Sequence, residues 1–139
     1  LVFRKPLSGT VAENLRTWGT GGFRRISKDR PFGDVIRSAP TRSAERAHAP
    51  HPSLKPQAFL RQVVRASLPL GTGVVLDPFA GSGSTLAAAC AVGYRSIGIE
   101  RDPEYIEVGR TAIPALTALK VKTDDTASFE GKAGRTRLS

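Results

Sequence analysis

The stretch VVLDPFAGSGSTLAAACAVGYRSIGIE, Val74 to Glu100, limits the possible folds more than any other part of this sequence. Val74 to Asp77 is short, β-branched and continuously apolar, the pattern of a strand covered on both faces. The loop Pro78 to Gly83 follows, with Gly81 and Gly83 able to adopt backbone conformations that a Cβ would penalise. Ser84 to Val92 is rich in alanine and predicts a helix, with Gly93 just past its end. Ser96 to Glu100 predicts a second buried strand. A strand, a helix and a strand joined this tightly form a crossover between parallel strands.

The flanks extend the alternation. Pro56 suits the first turn of a helix, and Leu60, Val63, Val64 and Leu68 then recur at helical spacing. After Glu100, Asp102 can cap a further helix with Pro103 at its first position. That helix is expected to reach Ile113 and to end or kink at Pro114. The fold class is therefore α/β, with parallel strands and flanking helices over roughly residues 53–119.

Outside that core the texture changes. Residues 1–52 are rich in Arg, Gly and Pro, and TWGTGGFRR and APTRSAERAHAPHP read as loops, so this segment is expected to be irregular. Residues 120–139 are polar and read as a flexible tail. No run approaches the roughly 20 apolar residues of a membrane helix. The single cysteine, Cys90, excludes an internal disulfide framework and suits a cytoplasmic setting. Within the alanine-rich helix it is expected to be a buried structural thiol. The chain begins at Leu1 and contains no methionine, and it is expected to be a piece of a longer protein. Lys and Arg number 21 against 12 acids, a net charge of +9. Such an excess favours a polyanionic partner, because cations that neutralise phosphates release counterions. The basic stretch before the core, with Arg16, Arg24, Arg25, Lys28 and Arg30, is the candidate nucleic-acid surface, with Arg24 and Arg25 as its candidate contacts and a solvated basic loop as the alternative.

In a parallel unit a ligand sits beyond the carboxyl ends of the strands. Both the glycine loop and Glu100 are expected there. The helix starting near Ser84 turns its positive end towards the same crevice and favours an anionic group. Glu100 can accept hydrogen bonds from both hydroxyls of a ribose. A P-loop would need Lys and then Ser or Thr after its last glycine, and Ser84 and Thr85 stand there. A dinucleotide fingerprint would need a third glycine where Leu86 stands. S-adenosylmethionine asks only for an acid at the ribose and a glycine loop near its amino-acid end. A glycine turn with no ligand, and a solvated Glu100, is the bland alternative.

LDPFAGSGST closely resembles motif I of the amino-group DNA methyltransferases, which modify adenine N6 or cytosine N4. HPSLKPQAFLRQVV, His51 to Val64, resembles their motif X, and GIERDPEYIEVGR, Gly98 to Arg110, resembles motif II with its following helix. Motif X directly before motif I is the order of the permuted members, whose catalytic motif comes earlier. The resemblance covers about half the chain. It implies a partial Rossmann-like methyltransferase fold dependent on S-adenosyl-L-methionine. It also implies that Asp77, Pro78, Phe79, Ala80, Gly81, Ser82 and Gly83 line the cofactor pocket and that Glu100 binds the ribose. Ser53, Lys55 and Pro56 would close over the methionine end, with Lys55 placed for a charge-assisted contact to its carboxylate. His51 takes an orienting or turn role.

The family's catalytic motif, Asp/Asn/Ser-Pro-Pro-Tyr/Phe, is missing: the sequence contains no Pro-Pro pair, and DRPF, Asp29 to Phe32, has Arg30 in place of the first proline. No catalytic residue is therefore assigned. The catalytic segment is expected to lie upstream or on a partner chain. No metal is implied, since a sulfonium needs no Lewis acid to be electrophilic. The alternatives are a non-catalytic remnant that keeps cofactor or nucleic-acid affinity, and a dinucleotide-binding module.

Overall fold

The computed structural model describes residues 3, 5–33 and 35–121. Most of the expected tail, from residue 122 onwards, lies outside the described residues. Among the described residues, five helices and two strands run in the order α1 (Val11–Trp18), α2 (Ser43–His48), α3 (Gln57–Ser67), β1 (Val74–Asp77), α4 (Ser84–Ala91), β2 (Arg95–Gly98) and α5 (Pro103–Ala118). β1 and β2 are parallel, with Val74 opposite Arg95 and Asp77 opposite Gly98. This is the α/β crossover unit expected of a partial Rossmann-like fold.

α4 is the hub. Ala87, Ala88 and Ala89 are fully buried. Ala87 joins a cluster with Ala49, Leu54, Ala112 and Leu116, while Ala88 and Ala89 join Leu60, Val64 and Tyr94. Three consecutive buried positions sweep most of a helix circumference, so α4 is enclosed by α3, α5 and the sheet. Methyl side chains allow that close approach. Cys90 takes the one remaining sector and is exposed, which corrects the expectation of a buried thiol. Each residue turns about 100°, so the fourth position emerges on the open side.

Four other expectations need correction. β2 runs Arg95–Gly98 rather than Ser96–Glu100. Its register is set by β1, which ends where Pro78 offers no N–H to the ladder. Pairing nevertheless continues into the loop, where Ile99 N–H donates to the Asp77 carbonyl and Ala80 N–H donates to that of Ile99, both at 2.9 Å. The strands are covered on one face only: Val75 packs into the core, whereas Leu76 is 61% and Ile97 56% exposed. α5 continues through Pro114 to Ala118. Leu116 is fully buried, and the guanidinium of Arg61 donates to the carbonyls of Leu116 and Thr117 at 2.8 and 3.2 Å, which holds the last turn in place.

The segment read as irregular contains α1 and α2. α1 opens with a capping box in which Glu13 N–H donates to Thr10 Oγ1 and the Glu13 carboxylate accepts from Thr10 N–H. In α2, the buried Glu45 carboxylate accepts from the N–H groups of Arg42 and Gln57, each at 2.7 Å. That second bond ties α2 to the start of α3.

Candidate functional site

The loop after β1 is built from backbone rules. Asp77 Oδ1 accepts from Phe79 N–H at 3.1 Å, turning the chain at the strand end. Gly81 and Gly83 both have positive φ, 52° and 84°. Gly83 lies against Ile113, and a Cβ there would overlap the isoleucine side chain. Gly83 is also the N-cap of α4 and supplies no side-chain acceptor. The first-turn N–H groups of α4 are therefore not consumed by a cap.

Glu100 closes the loop from the second strand. Its Oε2 accepts from Gly81 N–H at 2.7 Å, and its Oε1 accepts from Arg101 and Asp102 N–H at 2.8 and 2.9 Å. These bonds, that from Asp102 foremost and that from Gly81 next, hold the carboxyl below its ordinary range.

A cleft of about 430 Å³ lies between this loop, the end of β2 and α5. Its lining includes Ala80, Gly81, Gly83 and Glu100 from the expected site. It also includes Tyr105, Ile106, Gly109 and Arg110, which the sequence analysis did not assign. Their spacing along one face of the helix after motif II was the available signal. The other expected residues fall around the cleft rather than in its wall. Asp77 is half-buried at the strand end, while Pro78 and Phe79 are exposed. Ser82 is buried, and its Oγ has no hydrogen-bond partner among the described residues. Ser53 and Lys55 are exposed on the turn before α3. Pro56 caps α3 and lines a separate pocket of about 90 Å³ with Ala44, Glu45 and Leu119. From that turn it is His51 that reaches the loop, with Nε2 3.2 Å from where a Cβ on Gly81 would lie.

The two candidate DNA contacts sit elsewhere. Arg24 N–H donates to the Ala66 carbonyl, and its guanidinium donates to the Tyr94 hydroxyl at 2.7 Å. Tyr94 directly precedes β2, and Gly71, where a Cβ would meet the Arg24 guanidinium, lies three residues before the start of β1. Both arginines therefore lie at the amino ends of the strands, opposite the cleft. Arg24 is engaged inside the protein, whereas Arg25 is exposed, with its Nε on the carbonyls of Ser27 and Lys28. Among the described residues, no group of three or more His, Cys, Asp or Glu could hold a metal ion, and no helix is long and apolar enough to cross a membrane.

Comparison with known proteins points in one direction. The family profile described as DNA methylase matches residues 10–111. The type II methyltransferase M2.DpnII of Streptococcus pneumoniae is 33% identical over 92 residues, which is 66% of this chain and 34% of that protein. The DNA adenine methyltransferase YhdJ of Escherichia coli K12 is 51% identical over 59 residues, 42% of this chain and 20% of that protein. The crystal structure of the M1.HpyAVI–SAM complex is 30% identical over 45% of this chain and 32% of that one, with a TM-score of 0.42. The chain thus spans about a third or less of the length of the curated relatives it matches. With a matching profile over residues 10–111, the chain belongs to the DNA methylase family.

Proposed function

We propose that this chain is the cofactor-binding portion of a permuted DNA amino-methyltransferase, with S-adenosyl-L-methionine as cofactor and the N6 amino group of adenine as the favoured target over N4 of cytosine. The observation that carries the reading is the joining of Glu100 and Gly81 at the carboxyl ends of adjacent parallel strands, beside a cleft of about 430 Å³. The residues present fit the group. Glu100, with three backbone donors already on its carboxylate, keeps about one acceptor position, which suits one ribose hydroxyl rather than the expected pair; the uncapped first turn of α4 suits the carboxylate, and Ile99 and Ile106 offer apolar surface to the nucleoside. One relative is named a DNA adenine methyltransferase, which supports the same assignment.

When bound, S-adenosylmethionine supplies an activated methyl group for attack by the exocyclic nitrogen of a base flipped from the duplex. This chain's residues bind and orient. Glu100 fixes the loop and keeps one acceptor position for a ribose hydroxyl, while Ile99 and Ile106 pack against the nucleoside. Holding the target base falls to the Pro-Pro-aromatic segment, which this sequence lacks, so that role belongs to another segment or a partner chain. DNA is the proposed partner, and Arg25, whose terminal nitrogens have no partner among the described residues, is the arginine available to a phosphate.

The test is calorimetry with S-adenosylmethionine, followed by transfer of tritiated methyl to mixed-sequence DNA with and without the segment bearing the Pro-Pro-aromatic motif. Cofactor binding by the chain and transfer only with that segment are expected. Absence of cofactor binding overturns the reading. Binding with no transfer under either condition favours a non-catalytic remnant.

A further inference from the structure

His51 occupies a constrained place. His51, Pro52, Ser53 and Leu54 form a turn closed by Leu54 N–H to the His51 carbonyl at 3.1 Å, with proline at its second position. Leu54 is buried among Ala49, Ala87, Ala112 and Leu116, so the turn is anchored in the core. Ser53 N–H donates to His51 Nδ1 at 3.0 Å. Nδ1 is therefore the acceptor nitrogen, and in the neutral ring the proton sits on Nε2. Nε2 is the nitrogen over Gly81, and it has no hydrogen-bond partner among the described residues.

What keeps the ring there is Tyr105, on the first turn of α5. The two rings meet edge to face, with centroids 4.3 Å apart and planes at 62°. Tyr105 also lines the cleft, so one side chain touches both the turn and the site.

We propose that Tyr105 is a positioning residue for the amino-acid end of the cofactor: its ring fixes His51, and with it the His51–Leu54 turn, over Gly81. An Nε2–H held above the glycine loop, beside the positive end of α4, forms a donor corner suited to a carboxylate. The ribose side of the site depends on Glu100 and is not built on this ring pair. The inference rests on the cofactor reading above and separates the two ends of that ligand.

The experiment compares two ligands in the full chain by calorimetry. S-adenosylhomocysteine carries the amino-acid end, and methylthioadenosine lacks it. Tyr105→Ala should weaken S-adenosylhomocysteine about threefold to tenfold, the range an edge-to-face aromatic pair supplies, and leave methylthioadenosine within about twofold. Tyr105→Phe, which keeps the ring edge, should restore most of the loss. His51→Ala should reproduce the selective loss, which guards against a Tyr105 variant that simply folds poorly. An equal loss for both ligands, or no loss for either, overturns the positioning role. Failure of the parent chain to bind either ligand overturns the cofactor reading and this inference with it.

Discussion

The Gly81 backbone N–H is bonded at 2.7 Å to the carboxylate of Glu100, nineteen residues away, so the loop of the first strand is latched by the acid that follows the second. The carboxylate also receives Arg101 and Asp102 N–H, which uses three of its roughly four acceptor positions. In Glu100→Gln a carboxamide offers one acceptor oxygen where the carboxylate uses two. Amide exchange at Gly81, Arg101 and Asp102 should accelerate even without ligand, and unchanged protection would remove the latch. The pH dependence has a definite sign. Because the folded carboxyl is held below its ordinary range, its contribution is present above the unfolded value of about 4.3 and disappears as pH falls further. Protection of Gly81 should therefore persist on acidification to pH 5 and fall only below the ordinary carboxylate range.

Gly83 tests the packing of α4 on α5. A Cβ at this position would overlap the Ile113 side chain, whereas one at Gly93 meets nothing within 4 Å. Both have positive φ, 84° and 79°, so the backbone penalty is shared and the overlap is not. Gly93→Ala should cost roughly 1 kcal/mol, and Gly83→Ala roughly 1–3 kcal/mol more in urea unfolding. Combining Gly83→Ala with Ile113→Ala should recover part of the difference, because the two sites share one contact. Strict additivity would show that the overlap relaxes without cost.

The crossover was legible in the sequence because its signals are local: β-branched runs, a glycine loop, an alanine-rich helix, and Asp102 before Pro103. Asp102 does cap α5, accepting from Glu104 N–H at 2.9 Å. The capping box at Thr10 and Glu13 is equally local, carried by a Thr-x-x-Glu spacing. The rest depends on tertiary contacts that spacing does not encode. α5 runs through Pro114 because Arg61, more than fifty residues away, holds its end. Arg24 looked like a phosphate contact by composition, yet it is bonded to Tyr94, seventy residues on. In the site, Gly81 and Glu100 were legible as loop and acid. Their bond to each other was not, since it needs the register of β1 against β2.

Arg24 and Arg25 should separate cleanly. Arg24→Ala removes a charged hydrogen bond to Tyr94 and a guanidinium 5.9 Å from its ring centroid. It should cost roughly 1–2 kcal/mol of stability in thermal or urea unfolding. Arg25→Ala should leave stability within about 0.5 kcal/mol and, in the protein that binds DNA, lower the salt slope of binding by about one. An Arg25 variant with the parent slope would place the DNA surface elsewhere, and a stable Arg24 variant would show that Tyr94 does not depend on it.

The sheet face opposite α4 sets the behaviour of the isolated chain. Leu76 and Ile97 are register partners on that face, 61% and 56% exposed, and Ile99 continues the row beyond β2 at 56%. Phe79 stands at the loop above, 87% exposed. A contiguous apolar surface of this kind on a two-stranded sheet is unfavourable in water, and such sheets are marginal without further strands or cover. Sedimentation should therefore show the isolated chain associating as concentration rises. Leu76→Thr with Ile97→Thr should shift it towards monomer at a stability cost below about 1 kcal/mol, because neither side chain is buried and threonine retains β propensity. Adding the proposed segment that bears the Pro-Pro-aromatic motif should have the same effect on association by covering the face, and Leu76 and Ile97 should then become protected from solvent. Association unchanged by the paired threonines would assign it to another surface, and a large loss of stability would mean that the face is already packed in the isolated chain.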